Sequence, residues 1–275
     1  MRVWLLLLLI CALPARAELR PELEFGLGAT GFTFPDYRGS DESRAYLLPF
    51  PYVIYRGNFL RVDRQGARAV FLETDRIEFD FSLSGTPPVD SSKNRAREGM
   101  PDLDPTIEIG PRMNVILARS ADRAKALSFR LPVRAVIATD LSYADAEGWT
   151  AYPNLTYDSR PHFFEGRWRL GLQAGLLYAT SRYHQYFYGV DEQFATPQRP
   201  AFAAKGGYSG AALAASLTRR FQKIWVGAFA RYENLKGVAF ESSPLMRRDY
   251  AVTAGVAFAY IFAESKNRVE VDVED

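Results

Sequence analysis

Cysteine is almost absent from this sequence, and histidine nearly so. There is one cysteine, Cys11, and two histidines, His162 and His184. Cys11 lies in an apolar N-terminal leader, so the rest of the chain carries no thiol. That excludes disulfides, thiolate nucleophiles and cysteine-bearing zinc sites. Beyond the leader no run approaches the ~20 apolar residues of a membrane-spanning helix. Charge of one sign is not in excess either. The formal net charge is +2, and loss of Arg2 and Arg16 with the leader brings it to balance. A basic footprint for nucleic acid is therefore missing. No phosphate-binding glycine motif is present, because Lys205-Gly206-Gly207 opens a strand pattern rather than a helix. The expectation is a protein with no cofactor and no resident metal.

What the chain does have is a leader and a wealth of aromatic residues. Arg2 and Trp4 precede LLLLLICAL, and Ala15-Arg16-Ala17 gives the small-x-small pattern before Glu18. This predicts a secretory signal over residues 1–17. Ile10 stands before Cys11 where a lipoprotein signal needs Gly or Ala, which argues against lipid attachment there. Aromatics make up 14% of the chain, while mean hydropathy is only −0.17. An exported, aromatic-rich chain without a membrane helix predicts a β-barrel in the outer membrane of a Gram-negative bacterium. Closure leaves no unpaired strand edge in hydrocarbon, so a barrel is the strand architecture that spans lipid.

The strand pattern is strongest at residues 251–262, AVTAGVAFAYIF. Val252, Val256, Phe258, Tyr260 and Phe262 share one parity, and Thr253, Gly255, Ala257 and Ala259 share the other. Such a period-two run, ending in aromatics, resembles the closing strand of outer-membrane barrels. The candidate assembly signal is Gly255, Phe258, Tyr260 and Phe262. Alternation elsewhere yields about twelve strands, with ten open if residues 45–74 pair differently. Pro49 and Pro51 interrupt the second strand and weaken it. The fold expected is all-β: a transmembrane, antiparallel, up-and-down barrel over residues 18–262. Residues 263–275 form a periplasmic tail, or an extra short strand in which Val269, Val271 and Val273 alternate. With the N-terminus in the periplasm, every long connection falls on the outer side, as such barrels require.

If the apolar parity faces lipid and lipopolysaccharide, the opposite parity faces the lumen. It carries Glu78, Asp80, Glu108, Arg112, Arg130, Arg134, Arg231 and Glu233 among others. Both signs sit on neighbouring strands. They suit a polar channel or solute site, or a lumen filled by cross-strand ion pairs, and a narrow or plugged lumen fits twelve strands better than an open pore. Catalytic constellations are poor. His162 reads as a turn residue. His184, near Ser181, Asp191 and Glu192, allows a Ser–His or acid–His pair on sequence proximity alone. Asp36, Asp41 and Glu42 lie together in the first outer loop, without the ligand pattern of a calcium loop. No catalytic, cofactor or metal residue is assigned.

Four sequence blocks, taken together, resemble the MipA/OmpV family of outer-membrane proteins. Pro35, Tyr37, Gly39 and Ser40 match a P-x-Y-x-G-S turn. Tyr186, Phe187, Gly189 and Val190 match an aromatic Y-F-x-G-V stretch, with Tyr188 between. Gly206 and Gly207 match a glycine pair opening a strand, and Tyr232, Leu235, Gly237, Ser243 and Pro244 match a Y-x-x-L-x-G…S-P loop. The run Val238–Glu241 and the tail beyond Phe262 depart from the family pattern. The resemblance implies a non-enzymatic barrel that scaffolds cell-wall synthesis, bridging a lytic transglycosylase and a penicillin-binding protein. A porin-like, osmotic-response or adhesive barrel is the alternative it leaves open.

Overall fold

The computed structural model describes residues 18–63, 66–140, 142–163 and 166–271. The predicted signal over residues 1–17 and the end of the tail, including Val273, lie outside the described residues. Among those described, twelve antiparallel strands close a barrel. They are β1 (Leu23–Pro35), β2 (Ser43–Arg56), β3 (Leu60–Asp63), β4 (Gly66–Glu73), β5 (Ile77–Thr86) and β6 (Thr106–Arg119). Then come β7 (Lys125–Ala138), β8 in two pieces (Asp145–Ala151 and Asn154–Ser159), β9 (Arg169–Ala179), β10 (Gly207–Phe221), β11 (Ile224–Asn234) and β12 (Tyr250–Glu264). Each pairs with its sequence neighbours, and β12 returns to pair with β1 from Thr33↔Ala254 to Glu24↔Glu264. The topology is the simplest that closes.

Alternation explains why these residues make strands. In β5, Ile77, Phe79, Phe81 and Leu83 point to lipid, and Glu78, Asp80 and Ser82 point inward, Asp80 and Ser82 fully buried. In β12 the outward residues Val252, Val256, Phe258, Tyr260 and Phe262 are all exposed at the lipid face, where apolar exposure carries no aqueous penalty. Phe262 meets Phe25 of β1 edge-to-face at 5.3 Å, a lock across the closing seam. Gly255 lies on the inner wall. A Cβ there would stand 2.7 Å from the Phe229 ring and 2.8 Å from Phe32, so glycine makes room for two lumenal aromatics.

Three expectations are revised. Pro49 and Pro51 do not break β2, which runs unbroken for 14 residues. Strand β12 continues two residues beyond Phe262, to Glu264. The start of the tail is an extra short strand: Arg268–Val271 pairs with Glu18–Pro21, tying the two ends of the described chain together below the barrel. The outer connection after β9 contains a helix, α1 (Ser181–Tyr188).

The longest connections are outer ones, at residues 87–105, 180–206 and 235–249, and a shorter outer one lies at 36–42. These four outer segments fold together into a cap over the barrel mouth. Its apolar core draws Tyr37 from the first, Val89 and Leu103 from the second, Tyr183, Phe187, Tyr188 and Val190 from the third, and Leu235, Val238, Phe240 and Leu245 from the fourth.

Candidate functional site

Ion pairs line the lumen wall from its periplasmic to its outer end, most of them between neighbouring strands. At the periplasmic level the Glu24 carboxylate is held between Arg56 (2.8 Å) and Arg220, which also reaches Glu264. Tyr52 of β2 packs on Trp225 of β11 at 5.6 Å between ring centroids, over Ala259 of the intervening β12. At mid-height, Arg112 donates to Asp80 through Nε (3.0 Å) and Nη2 (2.8 Å). Arg130 pairs with Asp158 at 3.2 Å, and Arg61, level with Arg56 in the β2–β3 pairing, donates to Glu78 at 2.8 Å. Arg134 donates to the Ser82 hydroxyl at 3.0 Å and stands 4.0 Å from Glu108. At the outer level Glu233 accepts from Arg231 at 2.6 Å and from Arg38 of the first outer segment. Arg231 also lies over the Tyr152 ring of β8, 5.1 Å from its centroid. Glu78, Asp80, Glu108, Arg112, Arg130, Arg134, Arg231 and Glu233 each have a partner of opposite sign within 4.0 Å.

Between these levels lie cavities. One of about 430 Å³ sits directly beneath the cap. Its walls include Phe34, Tyr37, Tyr183 and Tyr188 alongside Glu108, Arg134, Arg231 and Glu233. A second, of about 390 Å³, occupies mid-barrel between Arg112, Arg130 and Asp158. A third, of about 90 Å³, lies at the periplasmic end around Glu24 and Trp225.

The cap is built by residues far apart in sequence. Tyr188 and Phe240 stack with centroids 3.7 Å apart and planes 10° from parallel. The Tyr37 hydroxyl donates to the Leu245 carbonyl at 2.8 Å, and the Tyr188 hydroxyl to the Arg38 carbonyl at 2.9 Å. Ser243 donates to the Tyr188 carbonyl at 2.7 Å. Gly39 holds φ at +89°, and its carbonyl accepts from the amides of both Arg247 and Arg248. A side chain there would be strained and would strike Met246 Sδ at 2.5 Å. Arg97, fully buried, donates to the Phe187 carbonyl at 3.3 Å and joins the second segment to α1. Asn94 donates to Asp36 (2.9 Å) and to the Ser40 hydroxyl (3.2 Å). Gly189 and Gly206 abut α1, each too tightly for a Cβ. Four motifs spread over some 200 residues therefore converge in one small core.

The other residues weighed from sequence have ordinary duties in this geometry. His184 is buried in α1 among Tyr183, Tyr188 and Phe240. Its Nδ1 donates to the Lys205 carbonyl at 2.6 Å, which leaves Nε2 to accept from the Ser209 hydroxyl at 3.0 Å. Burial and the nearby Arg38 charge hold its pKa below the usual histidine range. Neither Asp191 nor Glu192 is its partner. Asp191 accepts from Gln185 instead. Asp36 pairs with Arg44 at 2.7 Å, and Asp41 and Glu42 both pair with Arg95. His162 lies in a hairpin with Arg167, and its side chain lies outside the described residues.

Comparison with known proteins gives a family. The model of the family described as "MltA-interacting protein MipA" matches residues 27–262. The chain belongs to the MipA family. No curated protein matches it. Among solved structures it is similar to a bacterial polysaccharide outer membrane secretin, at 10% identity and TM-score 0.43, covering 87% of this chain and 99% of that one. It is also similar to the COG4313 outer membrane channel from Pseudomonas putida F1, at 11% identity and TM-score 0.36, covering 87% and 96%. The Pseudomonas putida toluene transporter TodX follows at 9% identity and TM-score 0.34, covering 88% and 90%. Family and barrel together point to the Gram-negative outer membrane, where the outward apolar band of this MipA-family barrel meets lipid.

Proposed function

We propose that this barrel is a closed, non-enzymatic membrane anchor that scaffolds cell-wall remodelling enzymes from its periplasmic end. One observation carries the reading: three tiers of lumenal ion pairs lie in series beneath a folded cap, a build suited to an anchor rather than to a diffusive pore. The family description names an interaction with MltA, a lytic transglycosylase, and the partner proposed is an enzyme of that class. A bifunctional penicillin-binding protein would be the second client of the same face, and lipopolysaccharide a neighbour in the outer leaflet. The candidate docking surface is the turn at 120–124, the hairpin after Ser159 and the ribbon joining Glu18–Pro21 to Arg268–Val271.

The purified barrel should bind the transglycosylase and show no discrete conductance steps in planar bilayers. Truncation after Ser265 should remove the binding while leaving an assembled barrel. Retention of binding would move the partner site elsewhere, and steps in the intact protein would overturn the anchor. A second reading, a small-solute barrel, is favoured by the 430 Å³ cavity beneath the cap and would be supported by those same steps.

A further inference from the structure

Among the described residues the barrel wall has a notch. Among them, β2 pairs with β1 along its whole length but with β3 only through Tyr55 and Arg56. On the far side, β5 pairs with β4 no further than Ser82, yet continues beside β6 to Thr86. The opening lies between β2, from Tyr46 to Tyr52, and β5, from Leu83 to Thr86. The described residues of β3 and β4 lie below it. The segment 87–105 is its roof, tied to β2 where Arg44 donates to the Asp90 carbonyl at 3.4 Å.

The edge facing this notch has an unusual chemistry. The Arg56 amide donates to the Glu22 carbonyl at 2.8 Å, so even-numbered amides of β2 turn toward β1. Odd-numbered amides turn toward the notch, and two of those positions are Pro49 and Pro51. Proline there costs no ladder bond, which is why β2 survives it. It also denies donors to any peptide strand that would add to the edge. Both faces of β2 are apolar, whereas a barrel strand ordinarily alternates apolar outside with polar inside. Leu47 and Pro49 point outward, and Leu48 points inward yet is 46% exposed. The apolar surface continues onto the inner wall, where the rings of Phe32, Phe34 and Tyr46 stack with centroids 5.3–5.7 Å apart. Phe34 lines the 430 Å³ cavity, and Ser84–Pro87, the opposite flank of the notch, line it too.

We propose that the notch is a lateral port. Through it an acyl chain of a surrounding membrane lipid enters from the bilayer, lies on Leu48 and the Phe34–Tyr46 stack, and ends in the cavity beneath the cap. The inference rests on neither reading of the protein's function. A peptide is disfavoured by the two prolines. An ionic solute finds the nearby charges Arg38, Arg231 and Glu233 already committed to one another. Hydrocarbon is what the bilayer supplies at a breach in a barrel wall, and it matches both faces of β2. The carbonyls along the open edge need polar company, because free edges persist at membrane depth only where they line a cavity or meet polar groups. A lipid's head region provides that company, so the ligand is an amphiphile and not a bare hydrocarbon.

Cysteine is absent after residue 11, so single cysteines can be spin-labelled. Phe34→Cys and Leu48→Cys would be compared with Leu47→Cys on the lipid face and Thr156→Cys on the lumen wall, in dioleoylphosphatidylcholine vesicles. Labels at 34 and 48 should collide with oxygen in preference to a nickel chelate as strongly as the label at 47, and several-fold more than that at 156. If they behave like position 156, the notch is water-filled and the proposal fails. Should these variants not fold, the unaltered protein reports through a phosphatidylcholine with a diazirine at its chain end. Adducts on Phe32, Phe34 or Leu48 support the port, and adducts confined to outward residues overturn it.

Discussion

The cap and the lumen beneath it are closed by different physics. The cap is a miniature globular core of stacked aromatics and buried leucines, braced by hydrogen bonds that include those of the buried Arg97 and Asp36, with Tyr188, Leu235, Phe240 and Leu245 almost fully hidden. The lumen is held by charge, from Glu24 at the periplasmic level to Glu233 at the outer one. Apolar burial contributes roughly 1.5–3 kcal/mol for each large side chain. A partly hydrated ion pair contributes about 0–1 kcal/mol. The cap should therefore be sensitive to truncation and indifferent to salt. The lumen should tolerate truncation and decide permeability.

The sharpest break of that contrast is Phe240→Ala. It removes the ring stacked on Tyr188 and should cost the cap about 3–5 kcal/mol. The barrel, whose strands do not depend on it, should still assemble and migrate as a heat-modifiable species. Proteases should then cut within residues 180–206 and 235–249. A variant that fails to assemble at all would show that cap and barrel are one cooperative unit, and the comparison would collapse. A smaller effect is expected at the seam on which both regions depend. Phe262→Asp places a charge on the lipid face and breaks the contact with Phe25, at a cost of roughly 1–3 kcal/mol. Outer-membrane levels should fall, and unchanged levels would mean that Phe262 is no part of the assembly signal.

The lumen half is tested by Arg130→Ala with Arg134→Ala. Stability should change by only about 1 kcal/mol if the freed Asp158 and Glu108 stay hydrated. Because the cap and the lumenal pairs are seals in series, this double variant alone should remain non-conducting. Combined with Phe240→Ala, it should give discrete conductance steps. Steps in the double variant alone would show that the ion pairs are the only seal and the cap is leaky. Failure to fold would show that these arginines are structural.

Legibility followed locality. Barrel and strand number could be read because each rests on neighbours two residues apart, as in Ile77–Ser84. The prolines of β2 were misleading, since whether a strand edge is paired is decided by β3 and β5, not by the residues beside Pro49. Helix α1 carried a readable signal that was passed over: Tyr183, His184, Phe187 and Tyr188 fall on one helical face, and all are buried. The cap was not readable, because its contacts join Tyr37 to Leu245 and Arg38 to Glu233 across some 200 residues. The four family blocks were visible as separate motifs. That they form one core is a property of the closed barrel, which brings the ends of β1, β5, β9 and β11 to the same rim.

The last and smallest expected effect lies at His184, where the cap's hydrogen bonding meets a titratable group. Its Nδ1–H is committed to the Lys205 carbonyl, so Nε2 must stay unprotonated to accept from Ser209. Ser209 in turn accepts from Arg38 at 2.9 Å, and that guanidinium, itself paired with Glu233, opposes a second positive charge on the ring. The groups packed around the ring are Tyr183, Tyr188 and Phe240, and none of them offers a carboxylate. The folded-state pKa is thus lowered, and an opened cap exposing His184 takes up a proton more readily than the closed one. The stabilisation is complete above the ordinary histidine pKa near ~6.5 and is lost as pH falls from there toward the folded value. The slope cannot exceed about 1.4 kcal/mol per pH unit for one proton. Hydrogen exchange of α1 amides should accelerate relative to the strands between pH 7 and pH 5, after correction for intrinsic rates. His184→Gln, which keeps a donor and an acceptor but no titration, should flatten that dependence. If the variant retains it, the acid response of the cap originates elsewhere, and the cap is closed by charge after all.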